Sequence, residues 1–433
     1  MTRTLIKGGC VLTMHPRIGN HHQADVLIEG DTIADVAEHI TARDAEVIDA
    51  VNTVVMPGFV DSHRRVAESL FRGVGGDGTA SVADYSPDDV YAATLVGLLG
   101  AAEAGITTVV DWAEFGSRSD QVDAAMAAHA EAGLRTVVVH AASNGEQSIS
   151  RWQPELRRLA AATRKPLTGL AAGSLEPAPT NSDQVERDWG VAREFGLRIH
   201  SPAGTDRSAA GAVADLAGRR LLRGDVTLVH CSHLDDADLG AVAGAGASVV
   251  LTPSSEMTGG KPPPPVQKLI DHGIRTGLGV GSDRLAPSDL FAQIRAVISV
   301  QHATYFDLKL AGKAGLPRLL TTREVIRYGC IDGAAAVGLA DVTGSLGPGK
   351  QADIVILRTD RPNIFPVNDP IGAVVWGMDT SNIDWVLVAG RPVVRNGELD
   401  ADLDRVRGLA LTARARVGTA AGHSTASSAG EPR

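Results

Sequence analysis

The first 57 residues alternate apolar and polar positions in short runs, TLIKGGCVLTM, ADVLIEGDTIADVAE and AEVIDAVNTVVM, broken at Gly-Gly and Gly-Asp. Successive side chains of a strand face opposite sides, so this pattern predicts half-buried strands joined by tight turns. The same texture returns over 344–398 in GSLGPGKQADIVILRTD, AVVWGM and WVLVAGRPVVRNGEL. The two all-β pieces are predicted to join into one small β-sandwich. Between them, over 58–343, short apolar runs alternate with Ala- and Leu-rich amphipathic segments. The runs are ITTVVDWAEF, LRTVVVHAAS, LTGLAAGS, LRIHSPAG, VTLVHCSH, SVVLTPSS and RTGLGVGSD. With the strand that follows Pro57 they make about eight β-α units, the rhythm of a (β/α)8 barrel. The expected fold is therefore α/β, a TIM-like barrel carrying a composite β-sandwich built from both chain ends. A helix is expected at 399–415. The tail 416–433 has no apolar face and is expected to be disordered.

Composition narrows the function. A hydrophobic share of 44% and a charged share of 21% in 433 residues are ordinary for a globular protein. The net charge of −10, without a basic run, argues against a nucleic-acid partner. No apolar run approaches the roughly 20 residues that span a bilayer. The N-terminus has no signal-peptide pattern. Cys10, Cys231 and Cys330 form no CxxC pair, so a reduced, cytoplasmic protein is expected. High Ala, Gly and Arg with few Lys fits a GC-rich bacterial genome.

The chemistry concentrates where the apolar runs end, because barrel active sites lie at the C-terminal ends of the strands. The most informative segment is VVMPGFVDSHRRVAESLFRG. Its strand closes on Asp61-Ser62-His63, and Arg65 stands two residues on, on the same side as His63. With AGITTVVDW, VHCSHL, LTPSSEM, DLFAQIR and the late GSLGPGKQADIVIL...VLVAGRPVVRNG, the chain resembles the amidohydrolase superfamily. The resemblance is to the branch of chlorohydrolases and cytosine- or adenosine-type deaminases with a split β-sandwich, and it extends to about residue 400.

That resemblance implies a set of site residues and two departures. His63 matches the first histidine of a His-x-His pair of metal ligands. Arg65 takes the second place, and a guanidinium has no lone pair for a cation. His200 matches the strand-five ligand; Ala203 stands where related deaminases carry a substrate-binding Glu. His230 matches the strand-six histidine. The strand-eight aspartate falls on Gly281 or on Asp283, two residues further along the chain. Asp111 and Trp112 close strand two and are expected to line the pocket. Glu256 and Met257 match a Glu-Met pair of relatives, and Lys261 stands where relatives have a histidine. His233 follows in the loop after His230. Asp111, Trp112, Glu256, Met257, Lys261 and His233 are thus candidate substrate contacts.

Two functional expectations follow. In the first, no cofactor is needed: Arg65 replaces the metal as the electrophile, and His63, His200, His230 and Asp283 move protons in an elimination, hydration, isomerisation or cyclisation. In the alternative, one Zn or Fe ion on His63, His200 and Asp283 serves a hydrolase or deaminase acting on a C–N bond of a cyclic amidine or heteroaromatic ring. A non-catalytic relative that binds a small molecule is a third reading. A homo-oligomer, a dimer, is expected from the resemblance.

Overall fold

The computed structural model describes residues 2–74, 81–142, 148, 153–162 and 167–425. Strands β1 (Arg3–Leu12), β2 (Asn20–Glu29), β3 (Thr32–Ala37), β4 (Glu46–Asp49) and β5 (Thr53–Pro57) open the chain. Eight strands follow: β6 (Phe59–Arg64), β7 (Ile106–Ala113), β8 (Arg135–His140), β9 (Thr168–Gly173), β10 (Ile199–Ala203), β11 (Val226–His230), β12 (Ser248–Leu251) and β13 (Thr276–Leu278). The last four are β14 (Ile354–Arg358), β15 (Ile383–Val388), β16 (Arg391–Arg395) and β17 (Glu398–Leu399).

β6 to β13 pair in parallel, each with its sequence neighbour, and helices run between them. This is the (β/α)8 barrel that the apolar runs predict. Its strands are buried on both faces, as parallel sheets with helical cover must be. The chain ends form the second sheet, in the order β17-β16-β15-β14-β5-β1-β2-β3 with β4 on β1. Its two halves meet where β5 runs antiparallel to β14, Pro57 opposite Ile354 and Thr53 opposite Arg358. A separate core of Ile6, Val11, Val26, Ile28, Ile33, Val55, Ile354, Ile356 and Leu387 fills that sheet.

Two close approaches fix the barrel against its neighbours. At Gly58, where β5 passes into β6, a Cβ would lie 2.1 Å from the Thr107 side chain. At the seam, strand eight lies directly on the end of strand one: a Cβ on Gly279 would be 2.3 Å from the His63 carbonyl oxygen. There the barrel closes through a lone parallel bridge between Arg64 and Gly281. The glycines of GLGVGSD make that contact sterically open.

The C-terminal helix runs Leu403–Thr425, so the expected boundary at 415 was short and the tail expected from 416 is helical to 425; residues 426–433 lie outside those described. The helix is anchored by Val417 in an apolar cluster with Phe71, Tyr85 and Val90, by Arg414 over the Phe71 ring, and by an Arg416–Asp89 ion pair. Past Arg416 the sequence offers a single large apolar residue, Val417, too little to form an apolar stripe. Among the described residues no helix is long and apolar enough to cross a membrane.

Candidate functional site

His63 ends strand one with its ring buried at the barrel mouth. Its ring centroid lies 5.9 Å from that of His230 and 5.7 Å from that of Trp112. Burial, with the charges of His230, Arg65, His200 and Lys261, holds its pKa well below the usual histidine value. His200, fully buried on strand five, is pushed down to about 3 by burial and by Arg198. Both imidazoles are neutral at working pH. His63 Nδ1 and both nitrogens of His200 are buried without a hydrogen-bond partner. A buried polar atom left unpaired costs about 1–3 kcal/mol, so these three atoms ask for a partner.

Arg65 does not present a free cation. Its guanidinium donates to Glu114 Oε2 at 2.8 Å and lies 3.8 Å from Glu68. Glu114 Oε1 in turn accepts from Trp112 Nε1 at 2.9 Å. Its carboxylate partner is Glu114, and a neutralised half-exposed arginine is a weak electrophile. The adjacent Arg64, absent from the sequence-derived site, is fully buried. It donates to Asp283 Oδ2 at 2.8 Å and to Asp61 Oδ2 at 3.4 Å.

The two strand-eight candidates differ in what they offer. Gly281 has φ +75° and its amide donates to the His63 carbonyl at 2.9 Å. Asp283 Oδ2 accepts from Arg64, from Ser69 at 2.6 Å and from Arg72 at 3.2 Å. That three-donor cradle holds Oδ2 at the strand-one seam, while Oδ1 is buried without a hydrogen-bond partner. Among the described residues, no group of three or more His, Cys, Asp or Glu is placed to hold a metal ion.

His230 ends strand six in an unusual backbone. It has φ +77° and Cys231 has φ +64°, a left-handed pair without glycine. Its Nδ1 lies 3.0 Å from Glu256 Oε1. Glu256 is itself buried, accepting on Oε1 from the Thr252 amide at 2.8 Å and the Thr252 hydroxyl at 3.0 Å. Oε1 is thus taken up by His230 and Thr252, and Oε2 has Ser232 Oγ at 3.4 Å.

The remaining candidates divide. Trp112 lines a cavity of about 200 Å³ together with Arg65, Glu114, Ser174, Glu176 and Asp188, at the ends of strands one to five. Asp111 faces away, accepting from the Val66 amide at 3.1 Å and facing His129 Nε2 at 3.0 Å, so it straps strand two to the chain after strand one instead of lining the pocket. Lys261 is half-buried after the strand-seven helix, close enough for its charge to act on His63. Met257 is exposed. His233 lies in the loop after His230, its amide on the Gly204 carbonyl and its charge acting on Asp206, outside the imidazole group. Sequence reasoning missed Arg64, Glu114, Thr252 and Glu176. For Glu114 a signal existed, since it stands two residues past Trp112, just beyond the end of strand two.

The amidohydrolase family matches residues 54–393. The chain belongs to this family. It is 26% identical over 412 residues to a 5'-deoxyadenosine deaminase of Methanothermobacter thermautotrophicus, covering 88% of this chain and 92% of that protein. It is 26% identical over 428 residues to a 5-methylthioadenosine/S-adenosylhomocysteine deaminase of Haloarcula marismortui, covering 92% and 94%. Among solved structures, an adenosine deaminase from Xanthomonas campestris with bound zinc superposes with a TM-score of 0.83 at 21% identity, covering 96% of this chain and 99% of that one. An atrazine chlorohydrolase from Arthrobacter aurescens complexed with zinc gives 0.83 at 21% identity, covering 95% and 100%.

The zinc bound in those two structures runs against the expectation that no cofactor is needed. The residues present fit such an ion through imidazole: His63 and His200 are neutral, buried and carry bare nitrogens, the state a metal ligand requires. Arg65 and Gly281 do not contribute donors.

Proposed function

We propose that this amidohydrolase is a hydrolytic deaminase of an amino-substituted heteroaromatic ring, an adenosine-type nucleoside. The observation that carries the reading is similarity over about nine-tenths of the chain to proteins named as 5'-deoxyadenosine and 5-methylthioadenosine/S-adenosylhomocysteine deaminases. The convergence of His63, His230 and Trp112 at one strand-end mouth supports it.

The reaction adds water across the ring C=N at the carbon bearing the amine. Ammonia leaves and a ring carbonyl forms. A metal ion, held by His63 and His200, supplies Lewis acidity and lowers the pKa of water when bound. The chain supplies the rest. Trp112 offers an aromatic wall to the ring. The Arg65–Glu114 pair gives the cavity a polar edge that can accept and donate hydrogen bonds. His230, with Nδ1 committed to Glu256, presents Nε2 to take a proton from water and return it to the departing amine. Burial of His63 and His200 keeps water and protons from competing for their nitrogens.

The test is ammonia release from 5'-deoxyadenosine, 5-methylthioadenosine, S-adenosylhomocysteine and an amino-triazine, with zinc supplied. Turnover of a nucleoside supports the reading. Release from none of the four overturns it.

A further inference from the structure

We infer that Glu256 is a positioning residue that fixes His230 in the Nδ1–H tautomer and aims its Nε2 lone pair at the substrate. The inference deepens the proposed function and rests on it only for its kinetic part.

The geometry decides the tautomer. Glu256 Oε1 already accepts from the Thr252 amide, which can only donate. A carboxylate oxygen carries no hydrogen and only accepts, so the hydrogen between Glu256 Oε1 and His230 Nδ1, 3.0 Å apart, belongs to the imidazole. The Thr252 hydroxyl, 3.0 Å from the same oxygen, completes a three-donor clasp. Ser232 Oγ reaches the other oxygen at 3.4 Å. Nδ1–H then leaves Nε2 with the lone pair, the form a proton acceptor needs.

The backbone is built around this contact. Strand six ends in two successive non-glycine residues with positive φ, His230 and Cys231, and such strain persists only where surrounding structure fixes it. The Cys231 amide is tied to the Ala203 carbonyl at 2.8 Å and the His233 amide to the Gly204 carbonyl at 2.9 Å. The hook turns His230 across to the strand-seven helix, Pro253–Thr258, whose first turn carries Glu256. A histidine that only filled space would not require the strained pair.

Long-range proton–nitrogen NMR on protein labelled with 15N-histidine reads the tautomer directly, with the His230 signal assigned from H230Q. In the native protein His230 should show a protonated Nδ1 and a bare Nε2. Glu256→Gln retains an oxygen for Thr252 and His230 and should keep that tautomer. Glu256→Leu should move His230 toward Nε2–H and lower kcat by on the order of 10²-fold, with KM within about threefold of native; Glu256→Gln should recover most of the loss. A native His230 in the Nε2–H form overturns the inference even if Glu256→Leu does not fold, and so does a tautomer unmoved in a folded Glu256→Leu. The tautomer shift in a protein that turns over no nucleoside would sink the deaminase reading and uphold the positioning role.

Discussion

Removing the Arg64 guanidinium should destabilise the barrel at the seam between strands one and eight. Arg64 is fully buried and is bonded to Asp283 at 2.8 Å, to Asp61 at 3.4 Å and to the Ser288 carbonyl at 3.4 Å. Taking one partner from a buried ion pair costs about 3–5 kcal/mol. The two aspartates share that cost unequally. Asp283 keeps Ser69 and Arg72, whereas Asp61 keeps only backbone donors, among them the Val280 amide at 3.1 Å. Asp61, whose pKa burial already pushes up to about 7 against the pull of Arg64, can relieve its charge by taking a proton. Arg64→Met should therefore cost about 3 kcal/mol, the lower end of that range. The pH dependence has a definite sign. A carboxyl raised in the folded state from 3.8 to about 7 contributes stability at acid pH that is lost as pH rises through the folded value. Without Arg64 the folded value rises further, so the cost of Arg64→Met should be larger above pH 7 than below it. Urea unfolding of variants with the parental m-value measures this. Asp61→Asn added to Arg64→Met should recover at least half the loss at alkaline pH. A loss below about 1 kcal/mol at every pH, or no recovery in the double variant, would refute the claim that Arg64 is the clamp of the seam.

Two further outcomes follow from the site. Arg65→His should change stability by less than about 1 kcal/mol, because the Arg65–Glu114 pair is half-exposed; it should also raise zinc affinity at least about tenfold in equilibrium dialysis, by replacing a charge near His63 with an imidazole, and an unchanged affinity would mean residue 65 does not share the face of His63. As pH falls from 6.5 toward about 3, stability should fall, since His200 and His63 are held neutral in the folded state and take protons on unfolding; each contributes a slope of up to about 1.4 kcal/mol per pH unit, and a His200→Phe variant that loses none of that slope would refute it.

The barrel was legible because its strands are buried on both faces and so appear as apolar runs, each ending in the polar residue that reaches the mouth. Partners across strands were not legible in the same way. Arg65 was readable as an intrusion at a ligand position, but its pairing with Glu114 depends on how β6 meets β7. That register slips between Asp61 and Arg64, and an irregularity of this kind leaves no mark in a single strand's pattern. Gly281 and Asp283 could not be separated from sequence for a related reason. The period of two applies only while the chain stays extended, and β13 ends at Leu278, before either residue. Beyond it Gly281 turns at positive φ, and Asp283 is carried to Arg64 and Arg72. His230 repeats the lesson with opposite effect. Its strand-end position was readable, but the hook at His230 and Cys231 was not, because neither residue is a glycine and neither announces a positive φ. The hook is what brings His230 Nδ1 to Glu256, so a glutamate that sequence alone assigns to substrate becomes the acceptor that sets the proton on a neighbouring imidazole.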